Sequence, residues 1–363
     1  MIPFALDEVI LAALEQRASD VHFTCGCPVF FRIDGEVVPQ NMSILRESEE
    51  LIRLFTSVVG EKNAPKLQIP QNCDCAFEFC SGEVTIRCRL NFYWSLGNPA
   101  ASVRLIPSEV PTLDSLGLPS QLKSMCRLNK GIFLSVGPSG SGKSTTLAGM
   151  IHYINTTRRV HVVTLEDPVE YIHMSDRSLI HQREIGSDCP SFPEGLRQAL
   201  RQDPDVVVIG EMRDPETISA AVTAAETGHL VLGTLHTQDA AQTVDRIIDA
   251  FPPFQQSQVR LQISGALAGI CSQQLVPAVS GGRVAAAEFL TGTLAVKNAI
   301  REGKTAQIKS LLQTGASEGM RTMEQSLASF VREGRISEQA AFDSAFDPSE
   351  LRRLLSSASR RSL

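Results

Sequence analysis

The sequence predicts an α/β protein built from two domains, on three observations. Strand-length apolar runs alternate with turn signals over residues 1–106. From Gly131 onward, apolar runs alternate with helical patterns, as in a parallel sheet covered by helices. Between one such run and one such helix, Gly137–Ser144 satisfies G-x-x-x-x-G-K-[ST]. The length of 363 residues exceeds an average domain of ~150 residues and is enough to bury a large core without disulfides or metal.

Composition narrows the class. A chain that is 43% hydrophobic and 20% charged is globular rather than disordered. Its formal net charge of −6 argues against nucleic-acid binding by bulk positive charge, so no nucleic-acid partner is expected. Apolar runs such as Val206–Ile209 and Ile132–Val136 are strand length and fall far short of the ~20 residues of a membrane span. The opening residues meet Asp7 and Glu8 without a basic stretch, which is read as no signal peptide. Any membrane association is therefore expected through a partner. Nine cysteines are expected as reduced thiols. Cys25-x-Cys27 and Cys73-x-Cys75, with Cys80 and Cys88, could face sulfurs to one side of a strand, but no spacing matches a standard zinc module.

The elements follow in order. Leu6, Val9, Ile10, Ala13 and Leu14 recur at helical spacing. Val21–Phe23 and Val29–Ile33 read as strands, and Asp34-Gly35 turns the latter into Glu36–Val38. Further strands are predicted at Cys75–Phe79, Val84–Phe92 and Ala101–Ile106. Prolines 107, 111 and 119 punctuate a linker at 107–119, separating an N-terminal domain (1–106) from a second domain (120–290). That domain carries strands at 131–136, 160–165, 206–210 and 229–235 and helices at 143–155, 193–202, 215–227 and 239–250. Residues 291–363 read as helical, with a Ser/Arg-rich, frayed tail from Pro348.

The motif Gly137-Pro138-Ser139-Gly140-Ser141-Gly142-Lys143-Ser144, followed by Thr145, carries the chemistry. Glycines let backbone N–H groups face an anion, and the helix N-terminus adds positive charge at that spot. Lys143 reaches the β- and γ-phosphates, and the Ser144 hydroxyl ligates Mg²⁺. Nucleoside triphosphate and Mg²⁺ are the expected ligands. Glu166 and Asp167 end the second strand, and Glu211 follows the third, so their carboxylates face the same crevice at the carboxyl ends of the strands. There they can hold the Mg²⁺ shell or orient water. His236 ends the fourth strand, where an imidazole can sense a γ-phosphate. His173 and His181 are expected on a loop and on a strand surface.

Four segments, GPSGSGKST (137–145), TLEDPVEY (164–171), VVVIGEMRD (206–214) and GHLVLGTLHT (228–237), resemble the Walker A, Asp, Walker B and His boxes of the secretion ATPase superfamily. ASDVH (18–22), FRIDG (31–35), IHQRE (180–184), LRQDPD (200–205) and QTGASEGM (313–320) extend the likeness, and it is greatest to the PilT-like, pilus-retraction branch. The resemblance implies a PAS-like α+β N-terminal domain and a RecA-like ATPase domain with a parallel sheet and a helical C-terminal region. It also implies an ATP-hydrolysing, cytoplasmic homohexamer that acts at the inner face of the membrane on a pilus platform protein, with a PilT-like accessory ATPase as a further partner. By the same resemblance Glu166 and Glu211 position Mg²⁺ and activate water, and His236 contacts the γ-phosphate. His229, in the His box, counts with the nucleotide-binding residues, and Arg89 and Arg104 reach the phosphates.

Assembly-type relatives carry a four-cysteine zinc insert after the His box, whereas here only Cys271 lies beyond residue 189. The A-I-R-N-L-I helix of the retraction branch reads Ala295-Val296-Lys297-Asn298-Ala299-Ile300, and Lys lacks the planar fork of Arg. A PilU-like accessory paralogue, a PilT-like ATPase of another export system, a nucleotide-dependent scaffold with little turnover and a RecA-like DNA motor are the alternatives.

Overall fold

The computed structural model of the chain describes residues 4–60, 63–82, 84–106 and 109–359, which fall into two units. The first comprises residues 1–109 together with Pro168–Ile172. Its elements are α1 (Leu6–Glu15), β1 (Asp20–Thr24), β2 (Phe30–Ile33), β3 (Glu36–Pro39), α2 (Ser48–Thr56), β4 (Cys73–Ser81), β5 (Val84–Ser95) and β6 (Asn98–Ile106). The strands form one antiparallel sheet in the order β3-β2-β1-β6-β5-β4.

Strand alternation separates the two faces of this sheet. Ile86, Cys88, Leu90 and Phe92 of β5 are buried, while Arg87, Arg89 and Asn91 take the other face. The buried face packs on α1 and α2, with Phe55 edge-on to Phe23 (5.3 Å between ring centroids) and to Phe92 (6.1 Å). Asp34 and Gly35 both take positive φ, as a two-residue hairpin turn requires. Leu96 and Gly97 do the same between β5 and β6.

The second unit covers Val110–Asp167 and His173–Leu363. It runs α3 (Gln121–Cys126), β7 (Gly131–Val136), α4 (Lys143–Thr157), β8 (His161–Glu166), β9 (Leu179–Glu184), α5 (Phe192–Ala199), β10 (Val206–Ile209), α6 (Pro215–Glu226), β11 (Leu230–Leu235), α7 (Ala240–Asp249) and α8 (Pro253–Ala266). There follow β12 (Leu267–Pro277), β13 (Arg283–Thr291), α9 (Leu294–Arg301), α10 (Gln307–Thr314), α11 (Met323–Arg332), α12 (Glu338–Ser344) and α13 (Pro348–Ser359). The sheet order is β13-β12-β7-β11-β10-β8-β9, parallel throughout except for β12 with β13.

β7, β10 and β11 are buried along their whole length because helices cover both faces. Ile132, Leu134 and Val136 pack into a cluster with α6, α7 and α8, whereas Phe133 packs into another with α3 and α4.

Two expectations need correction. From Val110 on, the expected linker belongs to the second unit. Leu113 is buried there with Leu147 and Met150, and a Cβ on Gly149 would stand 3.2 Å from both Leu113 and Leu116. The parallel sheet is as expected, with β13 added antiparallel as an edge strand. The segment from Pro348 is no frayed tail up to Ser359 but helix α13, capped by Asp347 and anchored by a fully buried Leu351. Residues 107–108 and 360–363 lie outside the described residues. Among the described residues no helix is long and apolar enough to cross a membrane.

Candidate functional site

Four neighbouring parallel strands of the second unit end at one edge of the sheet: β7, β11, β10 and β8. The phosphate-loop motif follows β7, Glu166 closes β8, Glu211 follows β10 by two residues, and His236 follows β11 directly. Parallel pairing in register makes these ends coincide, because Leu235 stands beside Val136 and Ile209 beside both Gly233 and Leu165. The turn beyond β10 is tied to its neighbours as well. Gly210 N donates to Leu165 O (2.8 Å), Met212 N to Thr234 O (3.0 Å) and Thr234 Oγ1 to Gly210 O (2.5 Å).

The loop itself is shaped for an anion. Gly137 sits at φ +144°, and a Cβ there would stand 2.4 Å from Gln273 O, so only glycine fits. Gly140 and Gly142 also take positive φ, and space is open around Gly140. Pro138, Ser139, Gly140 and Ser144 are exposed and Thr145 is half-buried, while Ser141 and Lys143 are buried. Ser141 Oγ has no hydrogen-bond partner among the described residues, an orphaned donor inside the loop of the kind a phosphate oxygen would satisfy. Lys143 Nζ folds back to donate to Gly137 O and Pro138 O, both at 2.8 Å. These features fit a bound phosphate.

Beside it runs a relay of polar contacts. Lys143 Nζ lies 3.4 Å from His236 Nδ1, and His236 Nε2 lies 3.2 Å from Glu211 Oε1. An ammonium only donates, so Nδ1 accepts and Nε2 carries the hydrogen that Glu211 receives. Arg213 grips both oxygens of Glu211, at 2.6 Å on Oε2 and also on Oε1. Burial alone would raise the Glu211 carboxyl, but the hydrogen bonds from Arg213 and His236, with the charge of Arg213, outweigh it and hold the group below its usual range. Glu166 Oε1 accepts from Thr164 Oγ1 (2.6 Å) and Gln182 Nε2 (3.2 Å). Ser144, Glu166 and Glu211 are hard oxygen donors at one sheet edge, a set that suits Mg²⁺.

Two arginines named from the sequence belong to the first unit. Arg104 Nε donates to Asp20 Oδ1 at 2.9 Å, and Arg89 stands directly opposite Arg104 in the β5–β6 ladder. Two like charges across a ladder disfavour pairing unless an anion joins them.

The structure does not bring His229 to the loop. It precedes β11, at the opposite end of a six-residue strand about 20 Å long, with its ring on Ala224 O (3.0 Å). His173 lies on a loop, as expected, but is buried there, and burial, with His152 beside it, lowers its pKa to about 4. His181 is exposed on β9, as expected, its Nδ1 2.9 Å from His161 Nε2. Arg213, Thr164 and Gln182 were missed as site residues. A signal existed for two of them: Arg213 and Thr164 each stand two positions from a site glutamate, the spacing that shares a face in extended chain. Among the described residues no cluster of three or more His, Cys, Asp or Glu side chains could hold a metal by itself, and no disulfide joins the nine cysteines.

Comparison with known proteins places this geometry. Residues 1–342 match the family described as type II/IV secretion system protein. The type IV pilus retractation ATPase PilT of Pseudomonas aeruginosa is 42% identical over 94% of this chain and 98% of its own length. The type IV pilus ATPase PilU of the same organism is 35% identical over 96% of this chain and 91% of its own. The crystal structure of the pilus retraction motor PilT with bound ADP superposes with a TM-score of 0.86 at 44% identity, covering 96% of this chain and 99% of that one. Matched over nearly its whole length, the chain belongs to the type II/IV secretion system protein family.

Proposed function

We propose that this chain is an ATPase that powers retraction of a type IV pilus, working as a homohexamer against a platform protein of the inner membrane. The observation that carries the reading is the contact chain Lys143–His236–Glu211 beside a glycine loop with an orphaned Ser141 hydroxyl. Likeness to the ADP-bound retraction motor supports the choice of nucleotide and of process.

In this reading the loop amides and Lys143 hold the β- and γ-phosphates, and Ser144, Glu166 and Glu211 hold Mg²⁺. The ion supplies positive charge against the charge that develops on the transferred phosphoryl group. Glu211, kept ionised by Arg213 and His236, orients the attacking water, and His236 connects that carboxylate to the phosphate-binding lysine. Arg89 and Arg104 clamp phosphate charge, which can be worth about 10³–10⁵ in rate. The greater identity to PilT than to PilU favours the motor itself over the accessory role.

Phosphate release from the purified chain with ATP and Mg²⁺ tests the enzyme. Lys143→Ala should abolish turnover and binding, and Arg104→Ala should leave ATP binding nearly intact while turnover collapses. Absence of turnover in the parent chain would leave the scaffold alternative. In cells, deletion should leave an excess of immobile pili, whereas bald cells would point to assembly.

A further inference from the structure

We infer that Gln273 is a positioning residue for the phosphate loop, the group that turns the loop's peptide planes so that their N–H bonds face the anion. The inference rests on the nucleotide reading above. Cys271 and Ser272 of β12 pair with Ser135 and Val136, so Gln273 is the first residue past that register, level with the start of the loop. It is 1% exposed.

Its side-chain amide is used on both sides. Nε2 donates to Ser141 O within the loop at 2.8 Å. Oε1 accepts from Thr146 Oγ1 in the first turn of α4 at 2.8 Å and from Ser135 Oγ in β7 at 3.2 Å. One planar group therefore joins the strand before the loop, the loop, and the helix after it. Its backbone carbonyl fills the space that a Cβ on Gly137 would need.

The consequence follows from peptide geometry. In a planar trans peptide the C=O and the next N–H point in opposite directions. With the Ser141 carbonyl held inward on Gln273, the Gly142 N–H must point away from the core. Without the Nε2 donor, that buried carbonyl is left unpaired and the peptide is free to turn, exchanging a donor for an acceptor where an anion binds. Only a primary amide of this length offers a donor and an acceptor at the required positions. A glutamate has the same shape, but ionised it faces the Ser141 carbonyl with a second acceptor, and only when protonated can it donate there.

The test uses the full chain, titrated calorimetrically with ADP and Mg²⁺. At pH 8, Gln273→Glu should weaken ADP binding at least tenfold. As pH falls from 8 to 6 its affinity should return toward that of the parent, because burial raises the carboxyl pKa and protonation restores the donor. Gln273→Met, of similar volume, should weaken binding severalfold with no such recovery. A packing role alone would not produce that pH reversal. Thermal unfolding without nucleotide checks that each variant is folded, and Gln273→Met carries the test if the Glu variant is not. Parent-like affinity in both variants, with binding lost in Lys143→Ala, would overturn this inference and leave the nucleotide reading standing. Parent-like affinity in Lys143→Ala would remove both.

Discussion

Glu288 of β13 offers a quantitative check on how the second unit is held together. It is buried, and its Oε1 accepts from Ala240 N (2.9 Å) at the start of α7, the helix that follows the His236 loop. Burial pushes the carboxyl from its usual 4.5 up to about 8. The charges of Asp239 and Glu324 act in the same direction, while backbone bonds from Ala240 and Met323 oppose it. The folded chain thus keeps a proton that the unfolded chain releases near pH 4.5. Stability from this group is complete below that pH, falls as pH rises, and is lost by about pH 8, with a slope of about 1.4 kcal/mol per pH unit. Glu288→Gln carries a fixed neutral amide and removes the slope. Denaturant unfolding of both proteins at pH 5 and pH 7 should show the parent losing about 3 kcal/mol relative to the variant over that interval. Parallel stability profiles, differing by less than about 1 kcal/mol across those pH values, would refute a protonated Glu288.

Two further outcomes follow from backbone and burial. Leu96 sits at φ +51° with its side chain 99% exposed, so Leu96→Asn relieves a left-handed strain without removing packing; it should stabilise by about 1 kcal/mol, read as a higher unfolding midpoint. Burial pushes the thiols of Cys88, Cys126 and Cys271 up to about 12, so at pH 8 an alkylating reagent should label exposed Cys27 and Cys80 quickly and those three only after unfolding, as read by peptide mass mapping.

Much of the candidate site could be read in one dimension, because a parallel sheet places motifs that end neighbouring strands side by side. The loop at 137–144, Glu166, Glu211 and His236 are each adjacent to an apolar run, and the runs were visible as β7, β8, β10 and β11. His229 shows the limit of reading by box, since two histidines of one motif lie at opposite ends of one strand. The strands β12 and β13 were missed: their residues mix polar and apolar, as in CSQQ, so no clean period marks them. His173 lies on its expected loop, but a loop pattern gives no measure of what later packs over it, so its burial was not legible.

Local patterning alone thus determined the two-part α/β organisation, the glycine loop and the acids that close its neighbouring strands, since these depend on residue type, spacing and strand direction. Tertiary structure decided which groups complete them. Gln273 meets Ser141, Glu288 meets Ala240, and Arg104 meets Asp20 only after distant segments pair, because a hydrogen bond depends on distances of a few ångströms that spacing along the chain does not encode.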